Sequence, residues 1–425
     1  MFRRIRILQA VLPVLLTTAC ASQQTTDIGR PAAQPVSNAP AVTNGASLAL
    51  PGKPQENHDA GARAPADLAP SDPVTEIQVG ESEVSSRPFV TPGGTLDPDI
   101  QAFAAEVARL RQLPIGHVEA LLREARYNAT AARLMAPAKT RIRRSWVTYR
   151  NRFVEPVRIR DGQEFWHEHA AELAHTQREY GVPASIIVAI IGVETLYGRH
   201  TGDFRVLDAL ATLGFRYPDA SRPERSHLFR NQLADLIQLD HEGKLDARRV
   251  TGSFAGAMGL PQFMPGSLMR YATDGDLDGR IDLHASTSDA IVSVARFLRL
   301  HGWIPGLPVF APVTPPADAA RLVTGGLTPT LDWSQLAAAG ARAQPSADPA
   351  DWQRHELGMV NLVDEPRNTV EYRVGTPNFF ALTHYNRSYF YASSVADLAR
   401  EIERRIGTPG QPAAATAQLK TPVER

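Results

Sequence analysis

Cysteine is almost absent. The 425-residue chain has one, Cys20, which excludes an intrachain disulfide and a zinc site built from several thiolates. Net charge is absent as well. Lys plus Arg and Asp plus Glu each number 45, so the sum is 45 − 45 = 0 and no global field draws the chain to nucleic acid or an anionic surface. A membrane-crossing run is missing too: the apolar stretch at residues 7–16 is far shorter than the about 20 residues a span requires. What remains is a 43% hydrophobic chain that can build a core, with 33 prolines whose uneven spread marks its boundaries.

The N-terminus carries arginines at 3, 4 and 6, then the short apolar stretch, then Thr17, Thr18, Ala19 and Cys20. A basic segment, an apolar segment and small residues before a cut site describe a secretory signal. Ending at a lone cysteine, residues 1–20 resemble a bacterial lipoprotein signal, although Thr17 stands where such signals usually have Leu. The resemblance implies lipidation at Cys20. With Ala21 and Ser22 following and no Asp there, it implies anchorage on the periplasmic side of the outer membrane of a Gram-negative envelope. The plainer alternative is an ordinary cleaved signal with an incidental cysteine. Residues 21–95 are rich in Pro, Ala, Ser, Thr and Gln and poor in aromatics, which predicts a disordered tether. Residues 408–425 read as a disordered tail of the same kind.

Between them the pattern is helical. Helices are expected over residues 98–113, 117–127, 165–180, 183–196, 206–214, 226–241, 288–301 and 394–406, with Pro114 and Gly181 as breaks. The helix at 183–196 is apolar on every face, so it belongs in the core. From 305 to 377 the helical period fades, Pro and Gly increase, and residues 370–374 alternate as a strand does; one helix persists at 333–339. The expected fold class is therefore mainly α (α+β). Its expected parts are a helical N-terminal domain at 96–165, a helical catalytic core at 166–304, a small β-containing subdomain at 305–377, and a return to the core at 378–407.

Glu194 ends the most apolar helix. An ionised carboxylate there is costly, so its neutral form should be favoured, the condition for a general acid near neutral pH. Gly192 and Gly198 flank it and allow a backbone or ligand to come close. The alternative is a core Glu paired with Arg199 or Arg205. Asp203 and Asp208 are the nearest other acids in sequence, and both read as a helix cap or a salt-bridge member.

Three segments carry a family resemblance. IIGVETLYGRHTGDFRVLDALATLGFRYP (190–218), GSFAGAMGLPQFMP (252–265) and YNRSYFY (385–391) are similar, in that order, to the signatures of the membrane-bound lytic murein transglycosylase B family, and the similarity spans about residues 96–406. The resemblance implies a lysozyme-like helical core and cleavage of the β-1,4 bond between N-acetylmuramic acid and N-acetylglucosamine. The muramic acid 6-hydroxyl attacks its own anomeric carbon, leaving a 1,6-anhydro end. One carboxyl, Glu194, then serves as acid and afterwards as base, whereas most glycosidases need a pair. The tethered hydroxyl supplies the nucleophile by proximity. The resemblance also implies Ser253, Gln262, Tyr149, Tyr385, Asn386 and Tyr391 as substrate-binding residues, with loop capping the alternative for Ser253 and Gln262. Phe297 stands where the family often has Tyr. Arg222 and Arg225 are both candidates for stem-peptide contact. No cofactor is expected for the chemistry. The expected partners are glycan strands, stem peptides and a membrane through Cys20, with no nucleic acid and a monomeric chain.

Asp274, Asp276, Asp278, Arg280 and Asp282 follow the first nine positions of an EF-hand loop, with Gly279 at the sixth and Arg280 offering its carbonyl. Position twelve is Ala285 instead of Glu; the related family closes a longer loop with a later acid, which makes Asp289 the candidate. A structural calcium ion is expected at 274–289, against the alternative of a solvated acidic turn. Two further readings stay open for the whole chain: a hydrolytic muramidase using water and a second carboxylate, and a peptidoglycan-binding lipoprotein without activity.

Overall fold

Asp97 opens the first helix by accepting the Asp99 amide at 3.2 Å, and Pro98 occupies the first turn, where a missing N–H is harmless. The computed structural model describes residues 88–137, 141, 143–345 and 351–407. Helices dominate them: α1 (Pro98–Arg111), α2 (Ile115–Glu124), α3 (Ala129–Met135), α4 (Trp146–Phe153), α5 (Pro156–Glu168), α6 (Ala170–Tyr180) and α7 (Ala184–Thr195). After them come α8 (Val206–Phe215), α9 (Pro223–His241), α10 (Pro265–Tyr271), α11 (Thr287–Leu300), α12 (Trp333–Ala338), α13 (Pro377–Tyr385) and α14 (Tyr389–Ile406).

Two expected helices differ most from their expected extent. The segment expected as one helix at 165–180 is the end of α5 and all of α6, broken at His169, whose φ and ψ are −110° and 25°. Apolar spacing does not separate a broken pair from one helix, because Phe165 and Leu173 are buried either way. Helix α14 begins five residues before the expected 394, at Tyr389, where Ser388 Oγ accepts the Tyr391 amide at 3.4 Å. That cap places Tyr391 in the first turn.

Strands are short and paired antiparallel in twos. β1 (Phe204–Arg205) pairs with β2 (Thr251–Gly252), β3 (Val313–Thr314) with β4 (Arg342–Ala343), and β5 (Gly358–Asp364) with β6 (Thr369–Gly375). In the longest pair Gly358 faces Gly375 and Asp364 faces Thr369. The chain is thus mainly helical with small sheets.

Helix α7 sits in the middle of the main apolar cluster, which runs from Phe89 to Ile402. Ile187, Val188, Ala189, Ile190 and Ile191 are each 0% exposed. Full burial of each of the larger side chains contributes about 1.5–3 kcal/mol. Helices α14, α5, α6 and α11 surround it. A second, smaller cluster collects Leu307, Leu336, Trp352, Leu357, Met359 and Val374, all between residues 305 and 377. Among the described residues no helix is long and apolar enough to cross a membrane.

Candidate active site

Helix α7 delivers Glu194 to the edge of the core. The residue keeps part of its surface exposed, while Val193 and Thr195 on either side are buried. Burial raises the Glu194 pKa to about 7, against the lowering pull of a hydrogen bond from Tyr391. That bond runs from Tyr391 Oη to Glu194 Oε1 at 2.6 Å. No neighbouring carboxylate contributes to the shift. The expected alternative of an ion pair does not occur: Arg199 pairs with Asp161 at 2.8 Å and Arg205 with Asp208 at 3.7 Å. Asp208 also accepts the Arg126 amide at 2.8 Å, and Asp203 is exposed.

Three tyrosines converge on this carboxyl from two segments far from it in sequence. Tyr149 comes from α4, Tyr385 from the end of α13 and Tyr391 from the start of α14. Burial raises the pKa of all three, and the Glu194 charge adds to each shift. At neutral pH they are therefore donors. The rings of Tyr385 and Tyr391 stack with centroids 6.3 Å apart and planes 14° from parallel. Tyr385 Oη donates to the Pro261 carbonyl at 2.6 Å, tying the third sequence motif to the second. Phe297 packs edge-on against Tyr385 at 4.9 Å, so at this position the chain offers only an apolar face. Tyr149 packs on Phe153 and Phe390. Asn386 caps α13, and its Oδ1 is buried with no hydrogen-bond partner among the described residues.

Ser253 and Gln262 of the second motif make the loop contacts that were expected as their alternative role. Ser253 follows β2, and its Oγ accepts the amides of Ala255 at 3.3 Å and Ala257 at 3.1 Å. The hydroxyl closes its own loop, and the hydrogen bond on Glu194 is supplied by Tyr391. Gln262 has a positive φ of 52°, and its Nε2 lies 3.0 Å from both the Thr201 and Gly259 carbonyls. It straps the loop to the segment after α7. Met258 and Phe263 are core residues, 0% and 2% exposed. Arg222 pairs with Glu224 at 3.4 Å, and Arg225 Nε lies 3.3 Å from the Tyr217 hydroxyl.

The acidic loop brings three of its six expected ligands together. Carboxylate oxygens of Asp274, Asp276 and Asp289 lie within 4.8 Å of one another. Gly279 turns the loop with φ 88°. Asp278 Oδ1 accepts the Arg280 amide at 2.8 Å, and Asp282 Oδ1 accepts the His284 and Ala285 amides at 2.9 and 3.0 Å. Arg280 is exposed. Cys20, the expected lipidation site, lies outside the described residues.

Sequence reasoning passed over Thr195 and Tyr197. Gly192 does make room for a close neighbour, as expected of a glycine there. The neighbour is the Tyr197 ring of the same chain, which a methyl on Gly192 would meet 2.6 Å from its Cζ.

Comparison with known proteins identifies the family of the chain. The transglycosylase SLT domain family matches residues 95–400. Membrane-bound lytic murein transglycosylase B of Escherichia coli K12 is 36% identical over 266 residues, 61% of this chain and 67% of that protein. The crystal structure of soluble lytic transglycosylase SltB1 from Pseudomonas aeruginosa superposes with a TM-score of 0.65 at 40% identity, covering 73% of this chain and all 100% of that one. Escherichia coli lytic transglycosylase Slt35, solved in complex with calcium, gives 0.63 at 32% identity, covering 78% and 99%. The chain belongs to this transglycosylase SLT family of lytic murein transglycosylases.

Proposed function

We propose that the chain cleaves the β-1,4 bond between N-acetylmuramic acid and N-acetylglucosamine in peptidoglycan without water, with Glu194 as its one catalytic carboxyl. The observation that carries this reading is a carboxyl held protonated near neutrality by burial, with no second carboxylate adding to its shift. The glycosidic oxygen takes the Glu194 proton as its bond to the anomeric carbon breaks. The muramic acid 6-hydroxyl then bonds to that carbon, and its proton passes to the Glu194 carboxylate. Acid and base are one group used twice, and the tethered hydroxyl stands in for the second carboxylate of other glycosidases. Tyr149, Tyr385, Tyr391 and Asn386 line the approach and offer hydroxyl and amide groups to sugar substituents. Ser253 and Gln262 shape the adjoining loop and are proposed to contact the substrate beside them.

Mass spectrometry of muropeptides released from purified peptidoglycan by residues 88–425 is the direct test. We expect 1,6-anhydromuramic ends. Reducing ends would mean that water is the nucleophile and would overturn the single-carboxyl mechanism.

The domain division proposed from sequence assigns Tyr149 to the 96–165 helical part and Glu194, Ser253 and Gln262 to the 166–304 core. Tyr385, Asn386 and Tyr391 then belong to the 378–407 return. Lipidation at Cys20, followed by the 21–95 tether, would give this site reach from the outer membrane to the wall. The related protein of E. coli is named as membrane-bound.

Calcium is proposed as a structural ion. The donor set is all oxygen, as a hard cation requires, and Asp274, Asp276 and Asp289 are close enough to share one ion. Asp289 also accepts the Gly275 amide at 2.7 Å and the Asp282 amide at 2.6 Å, so it closes the loop onto α11. We expect chelator-treated protein to melt higher when calcium is restored. A ligand at a hundred times its Kd stabilises by about 2.7 kcal/mol, or roughly 5 °C for a domain of this size. An unchanged midpoint in millimolar calcium would remove the site.

A further inference from the structure

The turn after Glu194 follows an unfavourable backbone path. Leu196, Tyr197 and Gly198 take φ of 52°, 57° and 88° in succession. Left-handed backbone costs an L-residue carrying a Cβ roughly 1–2 kcal/mol, and only strong surrounding contacts hold two such residues in a row.

Those contacts come from two sides. On one, the Tyr197 ring folds back beneath α7 into a slot floored by glycines on facing helices. A methyl on Gly162 would lie 2.5 Å from the Tyr197 hydroxyl, and one on Gly192 2.6 Å from the ring. Phe165 closes the slot with its ring 5.4 Å away, and the Tyr197 hydroxyl donates to the Arg158 carbonyl at 2.9 Å. Arg158 in turn donates from Nε to the Gly192 carbonyl at 2.9 Å and from Nη1 to the Arg152 carbonyl at 2.6 Å. The same latch therefore joins the end of α7 to the end of α4, the helix that carries Tyr149. On the other side, buried Thr195 Oγ1 lies 3.0 Å from the Leu260 carbonyl and 3.2 Å from the Ile191 carbonyl, and accepts the Gly198 amide at 3.0 Å. It fastens the turn to the second motif.

We propose that Tyr197 and Thr195 are positioning residues for the reaction, holding the last turn of α7 so that the Glu194 carboxyl stays against Tyr391 and out of bulk water. The proposal rests on Glu194 being the acid. It goes beyond that assignment by naming what sets its place and protonation. Neither residue reaches the reacting bond; both act through the backbone of Glu194. If the pair served packing alone, its loss would lower the melting temperature and leave the chemistry of folded protein untouched.

The test compares Tyr197→Leu and Thr195→Val with the conservative Tyr197→Phe and Thr195→Ser, reading kcat, KM and the pH profile on soluble glycan strands below each variant's melting temperature. A carboxyl displaced by a fraction of an ångström loses rate steeply, and 1 Å can cost about a hundredfold. We expect Tyr197→Leu and Thr195→Val to lower kcat at least about tenfold with KM within about twofold. Their high-pH limb should move down from near 7 toward the ordinary carboxylate range as water reaches Glu194. Tyr197→Phe keeps the ring and Thr195→Ser keeps the hydroxyl, so each should recover most of the lost rate and restore the limb. Folded variants with kcat within about threefold and the limb unmoved would overturn the proposal, and Thr195→Val decides alone if Tyr197→Leu does not fold. Glu194→Gln is assayed beside them: turnover surviving in it would fault the acid assignment, whereas its loss together with unmoved limbs in the other variants faults the positioning role.

Discussion

Glu194→Gln is expected to lower release of 1,6-anhydro muropeptides by about a thousandfold or more, with glycan binding retained. A positioned general acid–base group contributes about 10² to 10⁴ in rate, and here one group performs both proton transfers. Gln matches Glu in shape and can still accept the Tyr391 hydroxyl bond, so the loss is one of proton chemistry. The wild-type rate should fall as pH rises through about 7, because Glu194 must begin protonated. The same shift makes a separate stability prediction with a definite sign. A carboxyl whose folded pKa is raised holds its proton more tightly in the native state, so native stability falls as pH rises from the unfolded value of 4.5 toward about 7. The full shift corresponds to a loss on the order of 3 kcal/mol above that window. Gln escapes it. At pH 8 the inactive variant should melt a few degrees higher than wild type, and near pH 4 the two should coincide. Inactivity with a lowered melting point at pH 8 would instead indicate damage to the fold, and turnover within tenfold of wild type would remove Glu194 as the acid.

Much of this arrangement was legible in the chain because it follows from local pattern. The uninterrupted apolar residues before Glu194 announce a buried helix, and a lone acid at the end of such a helix announces a shifted pKa. The residues around it were not legible that way. Tyr149, Tyr385 and Tyr391 meet Glu194 only through the packing of α14 on α7 and of α4 and α13 on α14, and nothing in the spacing of three distant segments encodes that meeting; similarity to a family supplied it. Ser253 makes the loop-capping contacts that local pattern offered as its alternative, its hydroxyl accepting the Ala255 and Ala257 amides. The Tyr197 slot was hidden because Gly162 lies more than thirty residues from its ring in sequence and reads as an ordinary interruption of α5. In the acidic loop, pattern named six ligands, and the carboxylate oxygens of three of them, Asp274, Asp276 and Asp289, lie within 4.8 Å of one another.

Asp397→Ala is expected to destabilise the fold by about 3–5 kcal/mol, the range for breaking a buried ion pair and leaving its partners unmatched. Asp397 is 1% exposed on α14 and holds three arginines. Its Oδ2 accepts Arg150 Nε of α4 at 2.7 Å; its Oδ1 accepts Arg373 Nη1 of β6 at 2.8 Å and Arg400 Nη2 at 3.1 Å. Glu371 shares Arg373 at 2.6 Å and accepts the Trp146 indole N–H at 2.9 Å. Removing Asp397 leaves Arg373 with Glu371 as its carboxylate partner and takes from Arg150 and Arg400 the bonds above, so that this carboxylate no longer fastens α4 and β6 to α14. Burial by itself would raise the Asp397 pKa, but the hydrogen bonds and charges of Arg373 and Arg150 outweigh it and hold it below the usual carboxylate value. A depressed folded pKa contributes stability above the unfolded value and loses it as pH falls through the folded one. Thermal melts should therefore show the variant roughly 6–10 °C below wild type near neutrality. The gap should narrow below about pH 4, where the unfolded carboxylate begins to take up a proton that the folded one, with its lowered pKa, still resists. A gap under 2 °C at pH 7 would mean that solvent replaces the network without cost. A gap that persists undiminished at pH 3 would assign the loss to packing instead of charge. Because α4 and α14 carry Tyr149 and Tyr391, the same substitution loosens two of the three tyrosines around Glu194, which makes this ion cluster the point where fold stability and the shape of the site depend on one side chain.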